Sequence, residues 1–334
     1  MFQTTVANGG ERLDKYLVSA GTGLSRAQIQ RLIEDGKVLV NGKGAKPHYR
    51  IHKGEKIEVH FEKRNRKTKA EPEKIPLNIV YEDPDLIVVN KPSGMVVHPA
   101  KGNLHGTLIN ALLYHCGTLP SRDESSEVVR PGVVHRLDKE TTGLLVFGKT
   151  DYALRGLISQ MEKRKITRRY LAIAWGRIPQ REGVIEAPIG RHILDRKRMT
   201  VTPLHSRTAR THYKILEKFS LATSLELRLE TGRTHQVRVH LAHLGFPVLG
   251  DPTYGGRKIG MIKTVLQRDS PLSRNKDPEE KIREILSLIL RQALHAETLG
   301  FYHPKRKEWI EFHASLPEDM IRVLEYLRKN SENY

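Results

Sequence analysis

The side chain best placed to do chemistry is Asp138, which lies in the segment PGVVHRLDKETTGLLVFG at residues 131–148. His135, Arg136 and Asp138 form a polar corner between two short apolar runs. A carboxylate held on a rigid corner can act as a nucleophile or as a general base. An aspartate in a charged turn is more often simply solvated, so its position alone makes Asp138 a candidate and no more.

Two predicted elements hold this corner. Val133 and Val134 form an apolar approach, and residues 144–147 form a continuous apolar run bounded by Gly143 and Gly148. A short apolar run between glycines is typical of a buried strand. We therefore predict that the corner is fixed between two buried strands.

A second candidate lies where a strand pattern changes into a helix pattern. Leucines alternate with polar residues over 225–229, which predicts a strand, and Gly232 ends it. Thr234 is placed to cap the helix that follows. Arg233 is therefore expected at a helix N-terminus, where anions bind favourably.

Three histidines in the same segment, His235, His240 and His243, raise the question of a metal site. Their spacing does not match the HExxH pattern of zinc enzymes. One face of a helix also cannot present all three well. We expect no metal here.

Residues 11–61 predict a small module of two helices and a small sheet. Ser25 and Gln28 have the spacing of a capping box at the start of the second helix. Residues 38–40 and 57–61 have the composition of strands.

This module is strongly basic. Residues 1–70 contain 15 basic and 7 acidic side chains, a net charge of +8. The second helix is expected to present Arg26, Gln30 and Arg31 outward. An exposed arginine-bearing face favours RNA binding, although a small basic fold without a ligand has the same pattern.

The predicted domain boundary lies at residues 63–76. This segment has almost no apolar content and contains two prolines, so we interpret it as a linker that is flexible without RNA. The prediction is an RNA-binding module at 1–62 and a catalytic domain at 77–334.

Short apolar runs separated by tight turns fill residues 79–97, and helical patterns follow at intervals along the catalytic domain. This order predicts an α+β fold with a mixed, mainly antiparallel central sheet and flanking helices. Lys91 and His98 lie at predicted strand ends and are equally compatible with phosphate contact and with a structural role. Residues 257–290 form a charged segment that ends in a predicted helix and has no assigned role.

The chain of 334 residues has 57 Lys and Arg against 38 Asp and Glu, a net charge of +19. Such an excess favours a polyanionic partner. The segment RHILDRKRMT carries five basic side chains in ten residues and suits either a phosphate-facing hairpin or a solvated turn. No apolar run reaches membrane-spanning length, and the N-terminus lacks a secretory apolar core, so we expect a cytoplasmic protein. Cys116 is the single cysteine, which excludes an internal disulfide.

The segment HRLDKETTGLLVFGKT resembles the signature of the large-subunit ribosomal pseudouridine synthase A/D family. The segments NKPSGMVVHP, TRRYLAIAWG and TGRTHQVR match the same family in its own order, and RQALHAETLGFYHP resumes the resemblance after the charged segment. SRAQIQRLIEDGKVLVNGK resembles the S4 RNA-binding domain. The resemblance therefore covers nearly the whole chain.

The resemblance implies roles for particular residues. Asp138 would be the catalytic residue, and Arg233 would pair with it. Tyr170 would open a strand predicted over residues 170–175 and lie against the target base, and Arg168 would precede that strand by two residues. Arg136 would fill the gap left by the base that is flipped out. Without the resemblance, Tyr170 is equally interpretable as a ring packed at a sheet edge.

The implied reaction breaks the bond between uracil N1 and the ribose, turns the base, and joins C5 to the same sugar carbon. It needs no redox partner, metal or other cofactor, but it needs an ionised carboxylate and a base removed from its stack. The expected partner is large-subunit rRNA, and we expect a monomer. Two alternatives stay open: a non-catalytic S4-type ribosome-assembly protein, and a hydrolytic glycosylase that releases uracil.

Overall fold

The computed structural model describes the chain in two compact units. The smaller unit ends at residue 69, and the larger begins at Ala70. The predicted capping box of Ser25 and Gln28 lies outside the positions and side chains that are described. The described residues are 2–22, 24, 26–60, 70–99, 102–121, 130–196, 198–269 and 278–331.

The smaller unit has the two helices and small sheet that the sequence predicts, with two additional strands, one at its N-terminus and one directly after the turn that follows residues 38–40. Its strands are all antiparallel in the order β1-β4-β2-β3. Leu13, Leu17, Ile29 and Ile33 from the two helices meet the sheet in a buried apolar core. The elements are β1 (Phe2–Thr5), α1 (Leu13–Ser19), α2 (Arg26–Glu34), β2 (Val38–Val40), β3 (Lys43–Gly44) and β4 (Lys56–Val59).

The larger unit is built on a sheet of nine strands among the described residues. The order is β5-β6-β7-β15-β8-β14-β13-β9, with β16 paired to β15. The strands are β5 (Ile79–Glu82), β6 (Leu86–Lys91), β7 (Thr142–Gly148), β8 (Thr167–Trp175), β9 (Glu182–Glu186), β13 (Arg210–Lys218), β14 (Ala222–Leu229), β15 (Leu294–Tyr302) and β16 (Trp309–His313).

Helices cover both faces of this sheet, since neighbouring residues of β6 and β7 enter different cores. Ile87 and Val89 pack on the face covered by α3, α5, α6, α7 and α8, whereas Leu86 and Val88 pack on the α4 face. No helix in the described ranges combines the length and apolar character needed to cross a membrane. The helices are α3 (Leu108–Cys116), α4 (Asp151–Glu162), α5 (Gln236–His243), α6 (Ile259–Asp269), α7 (Glu279–Leu288) and α8 (Glu318–Lys329).

The β7–β15 pair is parallel, and the other pairings of the large sheet are antiparallel, which confirms the predicted mixed, mainly antiparallel sheet. At this pair Gly143 has φ +116°, and a Cβ built there would lie 2.3 Å from the Ala296 carbonyl oxygen. A side chain at this position is therefore excluded. Gly143 lets β7 approach β15 directly after the Asp138 corner.

The approach to the corner differs from the prediction. Val133 forms a single bridge to Phe147 and is not part of a strand, whereas β7 on the other side is fully buried as predicted. Two valines are too few to sustain a ladder once Gly132 turns the backbone at φ +68°. Tyr170 likewise lies inside β8 and does not begin it.

The predicted linker at 63–76 divides into two parts. Residues 61–69 lie outside the described chain, and Ala70 onward belongs to the larger unit. The Glu73 carboxylate accepts hydrogen bonds from Gly106 N at 3.0 Å and from the ring of His105. These contacts attach residues 70–76 to the larger unit, because polar groups of this half of the segment find hydrogen-bond partners there.

A second, three-stranded sheet has the order β11-β10-β12. It packs through Ile189 and Val201 against Val239 of α5. The described residues of the basic segment RHILDRKRMT belong to the hairpin between the paired strands β10 and β11. The strands are β10 (Ile189–Arg191), β11 (Met199–Val201) and β12 (Ser206–Arg207).

Candidate active site

A buried lysine, Lys91, holds the backbone of the Asp138 corner. Lys91 is 1% exposed, and its ammonium group donates hydrogen bonds to the carbonyl oxygens of Pro92 (2.7 Å), Met95 (2.9 Å) and Lys139 (2.9 Å). These three acceptors match the three hydrogens of an ammonium group. Lys91 therefore fixes the backbone beside Asp138 and does not reach outward to phosphate, which settles one of the two options left by the sequence.

The Asp138 carboxylate is anchored by Arg238 of α5. Arg238 Nη1 donates to Asp138 Oδ2 at 3.0 Å, and the Asp138 side chain keeps 17% of its surface exposed. The two remaining arms of the same guanidinium bind Asp251, with Nε to Oδ2 at 2.7 Å and Nη2 to Oδ1 at 2.9 Å. The planar guanidinium thus bridges a buried aspartate and an accessible one.

Asp251 fixes this bridge in place. It is fully buried, and its Oδ1 also accepts the backbone N–H groups of Thr253 (2.8 Å) and Tyr254 (3.1 Å). Burial alone would lower the pKa of Arg238, but hydrogen bonds and charge from Asp251 and Asp138 raise it above its ordinary value. Arg238 is therefore a permanent cation, held between the two carboxylates.

The pairing of Asp138 with Arg233 was predicted wrongly, because the structure pairs Asp138 with Arg238. Arg233 lies in the turn before α5, and its Nε donates to the Thr208 carbonyl oxygen at 3.1 Å. His235 adopts a left-handed conformation at φ +57° and starts the helix in a direction that turns the Arg238 side chain toward the aspartate. The sequence does contain a signal for Arg238: it is a charged residue between Val237 and Val239.

Arg233 instead belongs to a basic rim. Burial and the nearby charges of Arg207 and Arg164 lower the pKa of Arg233. Arg164 has φ +56° and donates to Glu230 at 3.3 Å. Arg207 and Arg164 therefore lie near enough to act electrostatically on Arg233, and Arg164 is at the same time paired with Glu230.

Tyr170 and Arg168 share one face of β8, as their alternation requires. Tyr170 is 5% exposed and Arg168 is 8% exposed. Burial raises the pKa of the Tyr170 hydroxyl, so the ring stays neutral. The charge of Arg168 opposes this shift and that of Asp138 adds to it, which places all three groups in one electrostatic neighbourhood.

The Arg168 guanidinium lacks a protein acceptor for one buried hydrogen. Its Nε is buried and has no hydrogen-bond partner among the described residues. A Cβ at Gly232 would lie 3.0 Å from Arg168 Nη1, so the glycine leaves room for the guanidinium. A buried donor without an acceptor costs about 1–3 kcal/mol, which a bound RNA acceptor would recover.

His235 and Tyr254 complete the wall of the site, and sequence analysis assigned neither of them to it. His235 Nε2 lies 3.8 Å from Asp138 Oδ1, and its Nδ1 shares a hydrogen bond with the Tyr254 hydroxyl at 2.8 Å. Burial lowers the pKa of His235, with Asp138 opposing the shift. Arg238 also stacks over the Tyr254 ring at 5.0 Å. His235 thus contacts side chains of the site, while His240 bonds to Thr211 and Ala187 elsewhere.

Arg136 is exposed two residues before Asp138, as its predicted contact with RNA requires. His98 is 5% exposed, and burial together with Arg136 and Arg130 lowers its pKa to about 4. His98 is therefore a neutral ring near Arg136 and not a phosphate-binding cation. Its Nδ1 is buried without a partner among the described residues.

The arginines predicted on the smaller unit have different environments. Arg31 is exposed, as expected. Arg26 and Gln30 do not simply face outward, because both donate to Asp14, at 3.0 Å and 2.8 Å. Asp14 is fully buried and needs these donors. The Arg26 side chain nonetheless stays 48% exposed, so it can pair with Asp14 and still contact a ligand.

Comparison with known families gives two matches. Residues 85–243 match the model described as RNA pseudouridylate synthase, and residues 11–57 match the S4 domain. The first range contains Asp138, Tyr170 and Arg238. The second contains Arg26 and the helices of the smaller unit.

Full-length relatives agree with these matches. The chain is 45% identical over 321 residues to an uncharacterized RNA pseudouridine synthase, YlyB, of Bacillus subtilis, covering 96% of this chain and 95% of the relative. It is 45% identical over 320 residues to ribosomal large subunit pseudouridine synthase D of Pasteurella multocida, covering 96% and 92%. It is 42% identical over 326 residues to the synthase D of Escherichia coli K12, covering 97% and 93%.

Solved structures show the same fold. Human RNA pseudouridylate synthase domain containing 4 aligns with a TM-score of 0.51 at 25% identity, covering 75% of this chain and 93% of that chain. Human RNA pseudouridylate synthase domain containing 1 aligns with a TM-score of 0.50 at 24% identity, covering 78% and 97%. The chain belongs to the RNA pseudouridine synthase family and carries an S4 domain at its N-terminus. It is a pseudouridine synthase.

Proposed function

We propose that this enzyme isomerises uridine to pseudouridine in large-subunit rRNA and that Asp138 is its catalytic carboxylate. The observation that carries the assignment is the anchoring of Asp138 Oδ2 by Arg238 while the carboxylate keeps 17% of its surface exposed. The choice of RNA rests on relatives named ribosomal large subunit pseudouridine synthase D, which match over nearly the full chain. The net charge of +19 supports a nucleic-acid substrate.

The reaction redistributes bonds without a net gain or loss of atoms. The N1–C1′ bond breaks, C5 bonds to C1′, and the proton lost from C5 is balanced by one gained at N1. An ionised carboxylate beside the ribose can act on the sugar or on the base as nucleophile or base. Arg238 orients the Asp138 carboxylate, and two hydrogen bonds to Asp251 hold Arg238 in place.

Tyr170 and Arg168 hold the target nucleotide in this proposal. The target base must leave its stack, and an aromatic ring gives it a new surface on which to stack. The Tyr170 ring provides this surface beside Asp138. The buried, unpartnered Nε of Arg168 then donates to an oxygen of the same nucleotide.

The remaining arginines bind the RNA around that nucleotide. Arg136 occupies the space that the target base vacates, and Arg233 with Arg207 and Arg164 binds a neighbouring phosphate. In the smaller unit, Arg31 and the exposed part of Arg26 bind phosphates farther along the RNA. We place this activity in the cytoplasm and assign it to a single chain.

The test compares large-subunit rRNA from cells with and without the gene. Pseudouridine at particular positions should be missing without the gene, restored by the wild-type gene, and not restored by the Asp138→Asn variant. A hydrolytic glycosylase would instead release free uracil from purified rRNA. A non-catalytic assembly protein would leave the rRNA chemically unchanged in vitro. Either of these results contradicts the proposal.

A further inference from the structure

The hairpin between β10 and β11 exposes two large aliphatic side chains. Leu194 is 90% exposed and Ile193 is 77% exposed, and Leu194 is the most exposed large hydrophobic residue of the described chain. Single exposed aliphatic residues are common on protein surfaces. Two adjacent ones at the end of a hairpin are a small apolar surface that a ligand can cover.

The loop that carries them is internally hydrogen-bonded. His192 N donates to the Arg198 carbonyl oxygen at 3.0 Å, and Arg198 N donates to the Asp195 carbonyl oxygen at 2.9 Å. Asp195 N donates to His192 Nδ1 at 3.1 Å. The loop is therefore preorganised, and inserting its end into a ligand requires little further ordering.

The base of the hairpin is joined to the active site. Met199 N donates to the Tyr254 hydroxyl at 3.0 Å, and the same hydroxyl bonds to His235 at 2.8 Å. His235 in turn faces Asp138 at 3.8 Å. Arg198 lies over the Tyr254 ring at 5.6 Å. A short chain of contacts thus fixes the hairpin relative to the catalytic carboxylate.

The charge around the apolar pair identifies the ligand. Arg191 and Arg196 are exposed on either side of Ile193 and Leu194, and Arg198 has a buried Nε without a partner among the described residues. A site for an apolar protein segment would not concentrate cations in this way. Aliphatic side chains flanked by arginines match nucleic acid, in which apolar base faces lie between phosphates.

We propose that Ile193 and Leu194 form a wedge that inserts into the base stack beside the target uridine, while Arg191 and Arg196 bind the flanking phosphates. This inference rests on the proposed function, because it supplies a step that the function requires. Removing a base from its stack costs free energy, and an apolar pair that enters the step next to the space filled by Arg136 offsets part of that cost. The wedge is therefore a specificity element for stacked, structured RNA.

The test uses the full-length enzyme with the double variant Ile193→Ser, Leu194→Ser. The matched control is Leu290→Ser, since Leu290 is 80% exposed and lies outside the hairpin. The substrates are large-subunit rRNA transcribed in vitro and a short single-stranded oligonucleotide that contains the modified sequence. Single-turnover rates are measured on both, and thermal unfolding checks that each variant is folded.

The double variant should modify folded rRNA about 10- to 100-fold more slowly than wild type, a change comparable to the loss of one base-stacking contact. It should modify the oligonucleotide within about twofold of wild type, because that base has little stacking to lose. Leu290→Ser should match wild type on both substrates. The variant Ile193→Met, Leu194→Met keeps an apolar surface and should retain the rate on folded rRNA.

Three results would overturn the wedge. One is an unchanged rate of the serine variant on folded rRNA, and another is an equal loss on both substrates, which indicates damage to the active site. The third is a normal rate on naked rRNA with a defect confined to ribosomal particles, which indicates docking on a protein. A wild-type enzyme that forms no pseudouridine in any rRNA would instead contradict the proposed function, so the two failures are distinguishable.

Discussion

Each unit of the molecule contains an aspartate held by arginine, and the two carboxylates differ in what they leave open. Asp14 of the smaller unit is fully buried, and its two oxygens accept hydrogen bonds from Arg12, Arg26 and Gln30 at 2.8–3.0 Å. Burial alone would raise the pKa of Asp14, but these donors lower it to about 2. Asp14 has no surface left for a substrate.

Asp138 of the larger unit has one short contact and one long one. Arg238 holds Oδ2 at 3.0 Å, whereas His235 Nε2 lies 3.8 Å from Oδ1. The Asp138 side chain keeps 17% of its surface exposed, whereas Asp14 is fully buried. The comparison teaches that an arginine partner does not distinguish a structural carboxylate from a catalytic one. The two sites differ in whether part of the carboxylate stays exposed.

The largest expected effect separates the two aspartates directly. Asp138→Asn should reduce the single-turnover rate by at least about 1000-fold, because the amide is neither a nucleophile nor a base. RNA affinity should stay within about threefold, since one carboxylate contributes little to an electrostatic interface. Rates at saturating RNA and binding titrations measure the two effects.

Asp14→Asn is the control for this substitution. It should leave the rate at saturating RNA unchanged and destabilise the smaller unit by about 1–3 kcal/mol through weakened hydrogen bonds. Comparable rate losses for the two variants would contradict the division between a structural and a catalytic carboxylate.

The next largest effect concerns the arginine that holds Asp138. Arg238→Lys should slow the single-turnover reaction by about 100-fold, because an ammonium group cannot bridge two carboxylates in one plane. Arg233→Lys should mainly weaken RNA binding, by about two- to fivefold, since the charge at the rim is kept. If the two variants exchange these behaviours, Arg233 and not Arg238 positions the catalytic carboxylate.

A smaller effect probes the opening beside Asp138 that Asp14 lacks. Tyr170→Leu should cost about 1–3 kcal/mol of transition-state stabilisation, the value of one lost base–aromatic contact. Tyr170→Phe keeps the ring and should lose far less. The ratio of single-turnover kcat/KM values gives both figures, and equal, small losses would assign Tyr170 to packing.

The pH dependence of stability tests the structural role of Asp14. Because the pKa of Asp14 is about 2 in the folded state and 3.8 ordinarily, the unfolded chain binds more protons in this interval. The stability contributed by Asp14 is complete above about pH 4 and is lost as the pH falls through about 2. The stability of residues 2–60 can be measured by pulse proteolysis with pepsin between about pH 4 and pH 2. Over this interval it should fall more steeply in wild type than in Asp14→Asn. Parallel profiles would show that Asp14 is not held as described.

The smallest expected effect tests the RNA-binding face of the smaller unit. Arg31→Ala should make the slope of log affinity against log salt shallower by about 0.7, the change for one lost contact to single-stranded RNA. Fold stability should not change, because the residue is exposed. Arg26→Ala should change both the slope and the stability, since Arg26 also holds Asp14. An unchanged slope for both variants would remove this face from the RNA interface.

Local patterns were sufficient for much of the molecule. The two helices and small sheet of the smaller unit and the buried strand after Asp138 follow from periodicity and glycine placement. Such patterns record which side chains are buried within one element. Motif resemblance then located Asp138, Tyr170 and Arg168, because those residues lie in continuous segments.

The sequence by itself therefore determined the family, the presence of an N-terminal S4 domain and the segment that carries Asp138. The tertiary structure alone decided which arginine reaches Asp138, because Arg233 and Arg238 are five residues apart and the left-handed backbone at His235 selects between them. It also brought in Asp251, a contact with Arg238 across 13 residues. The periodicity of a segment predicts which of its faces is buried. The partner of a buried charged residue depends instead on which other elements lie next to that residue in the fold. No local sequence pattern encodes this tertiary arrangement.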